Sequence, residues 1–156
     1  SDECRFCKLP NNRRRWVGSN DFCEEKCARY SKYTFVTMVW AAIGLDFKSK
    51  LVFPRGKIDA ESYRKFLDES EIFVDADQLI GQHQYIFQQD SAPAHVTAET
   101  YQHIENYVHV LCGWPANSPD LSPIEMIWAI MKNKLVSLEN QPQNQKELEI
   151  ILQSIW

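Results

Sequence analysis

Three acidic side chains, Asp2, Asp90 and Glu125, stand in sequence contexts where a carboxylate can do chemistry. Asp90 follows a short apolar run that begins at Tyr85, and Glu125 falls in the first turn of a helix that a proline-rich loop introduces. The carboxyl ends of buried strands are where α/β proteins place their ligands. Acids that converge from two strands and a helix can hold two divalent metal ions, which clamp the attacking and leaving oxygens of a phosphodiester. The sequence therefore predicts an acidic metal site.

Each of these acids also has a purely structural explanation. Asp is common in strand-end turns, so Asp90 could serve as a turn residue. Ser122 and Glu125 have the spacing of a capping box, in which the glutamate bonds back to the residue that caps the helix. Asp2 could be an exposed terminal acid. We expect a further acid, Asp120, to lie in a loop that positions Glu125 rather than to bind metal.

The acids are embedded in four longer motifs that occur in a fixed order. These are Ser-Asp-Glu-Cys-Arg-Phe at 1–6, Met-Val-Trp at 38–40, Gln-Asp-Ser-Ala-Pro-Ala-His at 89–95, and Trp-Pro-Ala-Asn-Ser-Pro-Asp-Leu-Ser-Pro-Ile-Glu-Met-Ile-Trp at 114–128. In content, order and spacing they resemble the catalytic domain of the mariner-type (DDE) transposases, and the match extends to about Leu135. Ser91 replaces the usual asparagine after the second aspartate, and the five cysteines are not a family feature.

The resemblance implies a ribonuclease H-like α/β fold, with a mixed five-stranded sheet in the order 3-2-1-4-5 and helices on both faces. It implies that residues 1–156 form a single catalytic domain and that the family's N-terminal helix-turn-helix DNA-binding region is absent. Because the first motif is under way at residue 1, we expect the central first strand to be mostly missing, which would leave an open seam between strands two and four. We therefore expect a fragment that is unstable or aggregation-prone alone.

The activity that the resemblance implies is cut-and-paste DNA transposition. Asp2, Asp90 and Glu125 would hold two Mg²⁺ or Mn²⁺ ions, for hydrolysis at a transposon end and transfer of the freed 3′-hydroxyl into target DNA. The implied partners are the terminal inverted repeats, the target DNA and, for the full-length protein, a second copy. The implied location is nuclear in a eukaryote. Two alternatives stay open: another ribonuclease H-like nuclease or integrase, and an inactive or domesticated relic that binds DNA.

The composition alone does not indicate DNA. The 156 residues carry a formal net charge of −4, whereas a free-standing nucleic-acid-binding domain is usually basic. Basic residues do cluster at Arg13, Arg14 and Arg15, beside Trp16, and again near Lys132. We predict that these four basic residues contact DNA phosphates, the alternative being a solvated run of charge. No apolar run approaches 18 residues, so no membrane span is indicated.

Other residues of chemical interest carry weaker signals. The pairs Cys4-x-x-Cys7 and Cys23-x-x-x-Cys27 have spacings compatible with a four-cysteine zinc site, although free thiols are the default expectation. His95 lies five residues after Asp90, and we expect a secondary DNA contact close to the site or a hydrogen-bonded structural residue. Three tryptophans are expected in the core rather than as base-stacking platforms: Trp40, Trp114 and Trp128.

The elements that must position these groups follow from apolar periodicity and turn signals. Strands are predicted at 2–7, 34–43, 50–53, 85–89 and 108–112, and helices from 59 through 67, over 97–106, from 122, and over 145–156. Asp59, Thr97 and Ser122 are the predicted helix caps, with Pro123 at the first position of its helix. Residues 10–33 are predicted to form a loop or a short hairpin.

Overall fold

The computed structural model describes residues 1–7, 35–82, 84–115 and 118–156. Within these ranges, four strands and five α-helices follow one another along the chain. They are β1 (Asp2–Cys7), β2 (Val36–Ala41), α1 (Ala60–Glu69), α2 (Ile72–Ile80), β3 (Ile86–Phe87), α3 (Ala98–Glu105), β4 (His109–Val110), α4 (Pro123–Ser137) and α5 (Gln145–Ile155). None of these helices is long and apolar enough to cross a membrane.

The strand β2 divides the core into two clusters, because successive strand residues point to opposite faces. Val39 and Ala41 pack on one face with the apolar residues of α4 and α5. Trp40 and Ala42 pack on the other face with residues of α1, α2 and α3. The sheet is therefore covered by helices on both sides, as the sequence predicted.

The helix α4 buries one side against the sheet because its apolar residues recur at helical spacing. Ile124, Trp128, Met131 and Leu135 are the buried residues of this helix. Full burial of a large apolar side chain contributes roughly 1.5–3 kcal/mol, so this row supplies a substantial part of the stability of the layer. The row fixes the rotation of α4 and hence the direction in which its first turn faces.

Side-chain caps define where two helices on the opposite face begin. The Asp59 carboxylate accepts a hydrogen bond from the Ser62 amide at 2.9 Å, and the Ser62 hydroxyl accepts one from the Asp59 amide at 2.8 Å. This reciprocal pair is a capping box for α1. Thr97 caps α3 by accepting from the Thr100 amide at 3.1 Å. Both caps confirm the sequence prediction.

The described strands pair as two separate ladders rather than as one continuous five-stranded sheet. β1 and β2 are antiparallel, and β3 and β4 are parallel. The predicted third strand at 50–53 contributes an antiparallel bridge between Val52 and Trp40. These pairings fit the predicted order 3-2-1-4-5, but the prediction of a single five-stranded sheet is confirmed only in part.

The break in the sheet lies between β1 and β3, not between the second and fourth strands as predicted. β1 has six residues, and all of them pair with β2, from Asp2 opposite Ala41 to Cys7 opposite Val36. Across the break, the Ser1 backbone nitrogen and hydroxyl group donate to the Gln88 carbonyl at 2.7 and 3.0 Å. Asp2 therefore stands at the amino end of β1, directly beside the break.

Candidate active site

The three acids singled out from the sequence line one open cleft, which has a volume of about 300 Å³. Asp2 comes from the start of β1, Asp90 from the turn after β3, and Glu125 from the first turn of α4. The half-buried Trp114 and the exposed Pro115 form part of the cleft wall. Trp114 therefore lies at the cleft instead of in the core, whereas Trp40 and Trp128 are fully buried as predicted.

The Asp2 carboxylate is partly buried, and its surroundings disfavour its charge. The Trp128 indole donates to Asp2 Oδ2 at 3.1 Å, which stabilises the ionised form. Burial, together with the charges of Glu125 and Glu3, outweighs this bond and raises the pKa of Asp2 to about 6. Glu125 is therefore near enough to repel Asp2, as expected for two carboxylates that face one site.

The Asp90 carboxylate is half exposed and held on one side. Its Oδ1 accepts from the Ala92 amide at 2.9 Å and lies 2.6 Å from His95 Nδ1. The hydrogen bond with His95 holds the pKa of Asp90 below its usual range. Asp90 thus forms the strand-end turn that its type suggested, and its carboxylate also lines the cleft.

His95 is a buried imidazole between two carboxylates, with 3% of its surface exposed. Its Nε2 lies 3.2 Å from Glu3 Oε1, opposite the contact to Asp90. Burial disfavours the charged imidazole, but the bonds to Asp90 and Glu3 outweigh burial and raise the pKa of His95 to about 9. His95 is therefore protonated at neutral pH. It hydrogen-bonds to Asp90 but does not itself line the cleft.

Glu125 is a half-buried side chain in the first turn of α4 and is not used as a helix cap. The Ser122 side chain makes no capping hydrogen bond, so the capping box that its spacing allowed is not formed. Asp120 lies exposed in a short 3₁₀ turn, Pro119–Leu121, and does not line the cleft. Of the two acids in this region, Glu125 is the one directed to the site.

The three carboxylates suit a hard divalent cation in chemistry, since Mg²⁺ and Mn²⁺ prefer oxygen ligands. Asp2 Oδ1 and Asp90 Oδ2 have no side-chain hydrogen-bond partner in the described part of the chain. Within residues 1–7, 35–82, 84–115 and 118–156, however, no three His, Cys, Asp or Glu side chains form a ready metal-binding group.

Some predicted site residues lie outside the described residues or away from the cleft. Arg13, Arg14, Arg15, Cys23 and Cys27 all fall in the stretch 8–34, which is not described. Cys4 and Cys7 are three residues apart in β1 and so point to opposite faces, an arrangement that strand geometry does not favour for one zinc ion. Lys132 is exposed on α4, with its ammonium 5.8 Å from the centroid of the Phe6 ring.

The sequence reasoning did not single out Glu3, Tyr63 or Gln89, which the structure gathers around His95. The Tyr63 hydroxyl donates to Gln89 Oε1 at 3.0 Å, and Gln89 Nε2 donates to the His95 carbonyl at 3.0 Å. The Tyr63 ring packs against the imidazole, with 4.1 Å between the centroids and 33° between the ring planes. A signal for Glu3 was available, because alternation along β1 puts it on the face opposite Cys4 and Phe6.

Transposases of nematodes are among the curated proteins similar to this chain. It is 33% identical over 95 residues to the Tc3 transposase of Caenorhabditis elegans, covering 60% of this chain and 28% of that protein. It is 27% identical over 160 residues to the Tcb1 transposase of Caenorhabditis briggsae, covering 100% of this chain and 57% of that protein. The chain thus spans 57% or less of the length of these relatives.

Solved structures of Mos1 transposase share the fold. The paired-end complex with the left transposon end superposes with a TM-score of 0.76 at 20% identity, covering 98% of this chain and 45% of that one. The Mos1 catalytic domain solved with raltegravir and Mn gives a TM-score of 0.62 at 22% identity, over 76% of this chain and 62% of that one. The corresponding structure with Mg gives a TM-score of 0.61 at 23% identity, covering 76% of this chain and 61% of that one. These likenesses confirm the ribonuclease H-like fold.

A family model settles the membership that the motifs predicted. The model described as DDE superfamily endonuclease matches residues 1–149, which is nearly the whole chain and includes Asp2, Asp90 and Glu125. The chain belongs to the DDE superfamily endonucleases.

Proposed function

We propose that this chain is the catalytic domain of a DNA transposase that performs cut-and-paste transposition. It would hydrolyse phosphodiester bonds at transposon ends and transfer the freed 3′-hydroxyl to target DNA. The observation that carries the proposal is the convergence of Asp2, Asp90 and Glu125, from three distant segments, on one open cleft. The similarity to nematode transposases supports DNA, rather than an RNA–DNA hybrid, as the substrate.

The metal requirement that we propose is Mg²⁺ or Mn²⁺, with Asp2, Asp90 and Glu125 holding two ions. The proposal is supported by the oxygen-only donor set and by the Mos1 catalytic domain structures solved with Mn and with Mg. Divalent ions bound there would supply stabilisation of the negative charge that develops on the attacking and leaving oxygens of the phosphodiester. Burial and then the charge of Glu125 raise the pKa of Asp2, and a bound cation would relieve the repulsion between these two acids.

The chain's own residues would orient the acids and admit the DNA strand. Trp128 fixes one oxygen of Asp2, and His95 fixes one oxygen of Asp90. The first turn of α4 borders the cleft through Ser122 and Glu125, so the positive end of the helix dipole favours a phosphate there. The cleft is open to solvent, so one phosphodiester of a long DNA strand could reach the acids from outside.

The proposed partners are transposon-end DNA and target DNA, with a second copy of the full-length protein bridging two ends. Mos1 transposase has been solved as a paired-end complex with a transposon end, which supports DNA as the partner. Arg13, Arg14, Arg15 and the exposed Lys132 are the proposed phosphate contacts. In a eukaryote the proposed location is the nucleus.

The test of this function is Mn²⁺-dependent nicking of a supercoiled plasmid. Asp2→Asn, Asp90→Asn and Glu125→Gln should each lower the nicking rate by more than about 100-fold, since each removes a proposed metal ligand. The matched control is Asp120→Asn, which makes the same chemical change on an acid outside the cleft and should nick like the wild type. Nicking that survives in all three cleft variants would overturn the proposal.

A further inference from the structure

The contact Glu3–His95–Asp90 spans the break between the two ladders of the sheet. Glu3 belongs to β1, and Asp90 follows β3, which is paired with β4. His95 Nδ1 lies 2.6 Å from Asp90 Oδ1, and His95 Nε2 lies 3.2 Å from Glu3 Oε1. The imidazole therefore joins a residue next to Asp2 to Asp90 itself, at a place where no strand pairing joins the two ladders in the described part of the chain.

The imidazole cannot easily leave this position, because it is fixed from several sides. Its ring packs against Tyr63, and the residue is 3% exposed. The His95 amide donates to the Ala92 carbonyl at 2.8 Å, and the His95 carbonyl accepts from Gln89 Nε2 at 3.0 Å. A ring held in this way transmits the position of Glu3 to the Asp90 carboxylate.

Glu3 does not itself line the cleft. It is adjacent to Asp2 in β1, so its side chain points to the opposite face of the strand. That face carries the Trp40 and Tyr63 cluster, away from Glu125 and α4. Its side chain is 16% exposed, and its carboxylate is directed at His95. Glu3 is thus placed to act on Asp90 through the imidazole, not to touch a substrate or an ion.

We propose that Glu3 is a positioning residue, which acts through His95 to set the orientation of Asp90 and its spacing from Asp2. The inference rests on the proposed function, since it concerns how two of the proposed ligands are held. With Asp90 Oδ1 tied to His95 and to the Ala92 amide, the second oxygen, Oδ2, is the one left for the cleft. Residues that orient metal ligands typically change metal affinity by about 10–100-fold when mutated.

The experiment compares the wild-type chain with two Glu3 variants. Calorimetric titration measures their Mn²⁺ affinities, and nicking assays measure their rates as a function of Mn²⁺ concentration. Glu3→Leu removes the hydrogen-bond acceptor for His95, and we expect it to weaken Mn²⁺ binding by about tenfold. The nicking rate at saturating Mn²⁺ should stay within about twofold of the wild type, because the bound ion then orders the acids itself. Glu3→Gln keeps an acceptor oxygen and should restore near-wild-type affinity. Glu105→Leu, an exposed acid on α3, is the matched control.

The outcomes separate this inference from the proposed function. If the wild type binds Mn²⁺, Asp90→Asn does not, and Glu3→Leu binds like the wild type, the positioning role is overturned and the proposed function stands. If Glu3→Gln is as weak as Glu3→Leu, the negative charge of Glu3 is what matters, and positioning by a hydrogen bond is again overturned. If the wild type fails to bind Mn²⁺, both proposals fall together.

Discussion

The Trp128 indole donates a hydrogen bond of 3.1 Å to Asp2 Oδ2. This bond joins α4, the helix that carries Glu125, to the first residue of β1. Trp128 is completely buried, its ring meeting Phe6 edge-to-face at 6.0 Å and stacking on Trp156 at 5.6 Å. A residue of the apolar core therefore fixes the orientation of a cleft carboxylate.

Replacing Trp128 by Phe removes the donor and keeps an aromatic ring. We expect weaker Mn²⁺ binding, with a larger loss at pH 6 than at pH 8. The bond lowers the pKa of Asp2, which burial has raised to about 6, so its loss raises that pKa further and more of Asp2 is protonated at pH 6. Calorimetric titrations at the two pH values measure the effect.

The control for this change is Trp156→Phe, which shrinks the ring stacked on Trp128 without touching Asp2. It should lower thermal stability but leave the pH dependence of Mn²⁺ binding as in the wild type. Equal losses of affinity at both pH values in Trp128→Phe would mean that the indole acts through packing alone.

Tyr63→Phe tests the hydrogen bonds that hold His95. The change leaves the ring stacked on the imidazole but removes the donor to the buried Gln89 side chain. An unsatisfied buried acceptor costs about 1–3 kcal/mol, so we expect a loss of that order in the free energy of unfolding, measured by urea denaturation. Tyr101→Phe is the control, because the Tyr101 hydroxyl has no hydrogen-bond partner among the described residues. This variant should lose less free energy of unfolding than Tyr63→Phe. Equal losses in the two variants would argue against the role of the Gln89 bond.

The metal-free protein should lose stability as the pH rises from 7 to above 9. The pKa of His95 is raised to about 9 in the folded protein from an ordinary value of 6.5. A histidine whose pKa is higher in the folded than in the unfolded protein stabilises the fold fully at pH values below its unfolded pKa. This contribution is lost as the pH rises through its pKa in the folded protein. The Asp2 carboxyl, with a pKa of about 6, titrates below this window.

Urea denaturation at pH 7, 8 and 9.5 measures this contribution, which should be of order 1–3 kcal/mol for a shift of this size. The His95→Gln variant lacks the titrating ring, so its loss of stability over the same range should be smaller than that of the wild type by this amount. Wild-type and variant profiles of the same slope would rule out the buried imidazolium.

The sequence predicted most of the elements because their signals are local, whereas the helices on both faces of the sheet were implied by the family resemblance. The caps at Asp59 and Thr97 and the apolar spacing of α4 can all be read from neighbouring residues. The helix α2 was missed. It begins after Glu71, which has a left-handed backbone (φ 54°) and makes no side-chain cap, so no start signal precedes it.

The acids were predicted as a set, and His95 was expected near the site, but its second partner, Glu3, was not predicted. The contact between Glu3 and His95 joins residues 92 positions apart, and nothing in either local sequence indicates the partner. At Ser122 the local sequence predicted a contact that is absent, because its spacing to Glu125 suggested a capping box that the fold does not form. Motifs predict which carboxylates form the site, whereas the side chains that support them depend on the tertiary structure.

The measurement that tests the central claim most directly is calorimetric Mn²⁺ binding to the wild type and to Asp90→Asn, with Asp120→Asn alongside. The wild type and Asp120→Asn should bind Mn²⁺ alike. The Mn²⁺ affinity of Asp90→Asn should fall by more than the roughly 10–100-fold that is typical when a residue that only orients a metal ligand is replaced. Mn²⁺ binding by Asp90→Asn with the affinity of the wild type would contradict the assignment of this cleft as a metal-dependent active site.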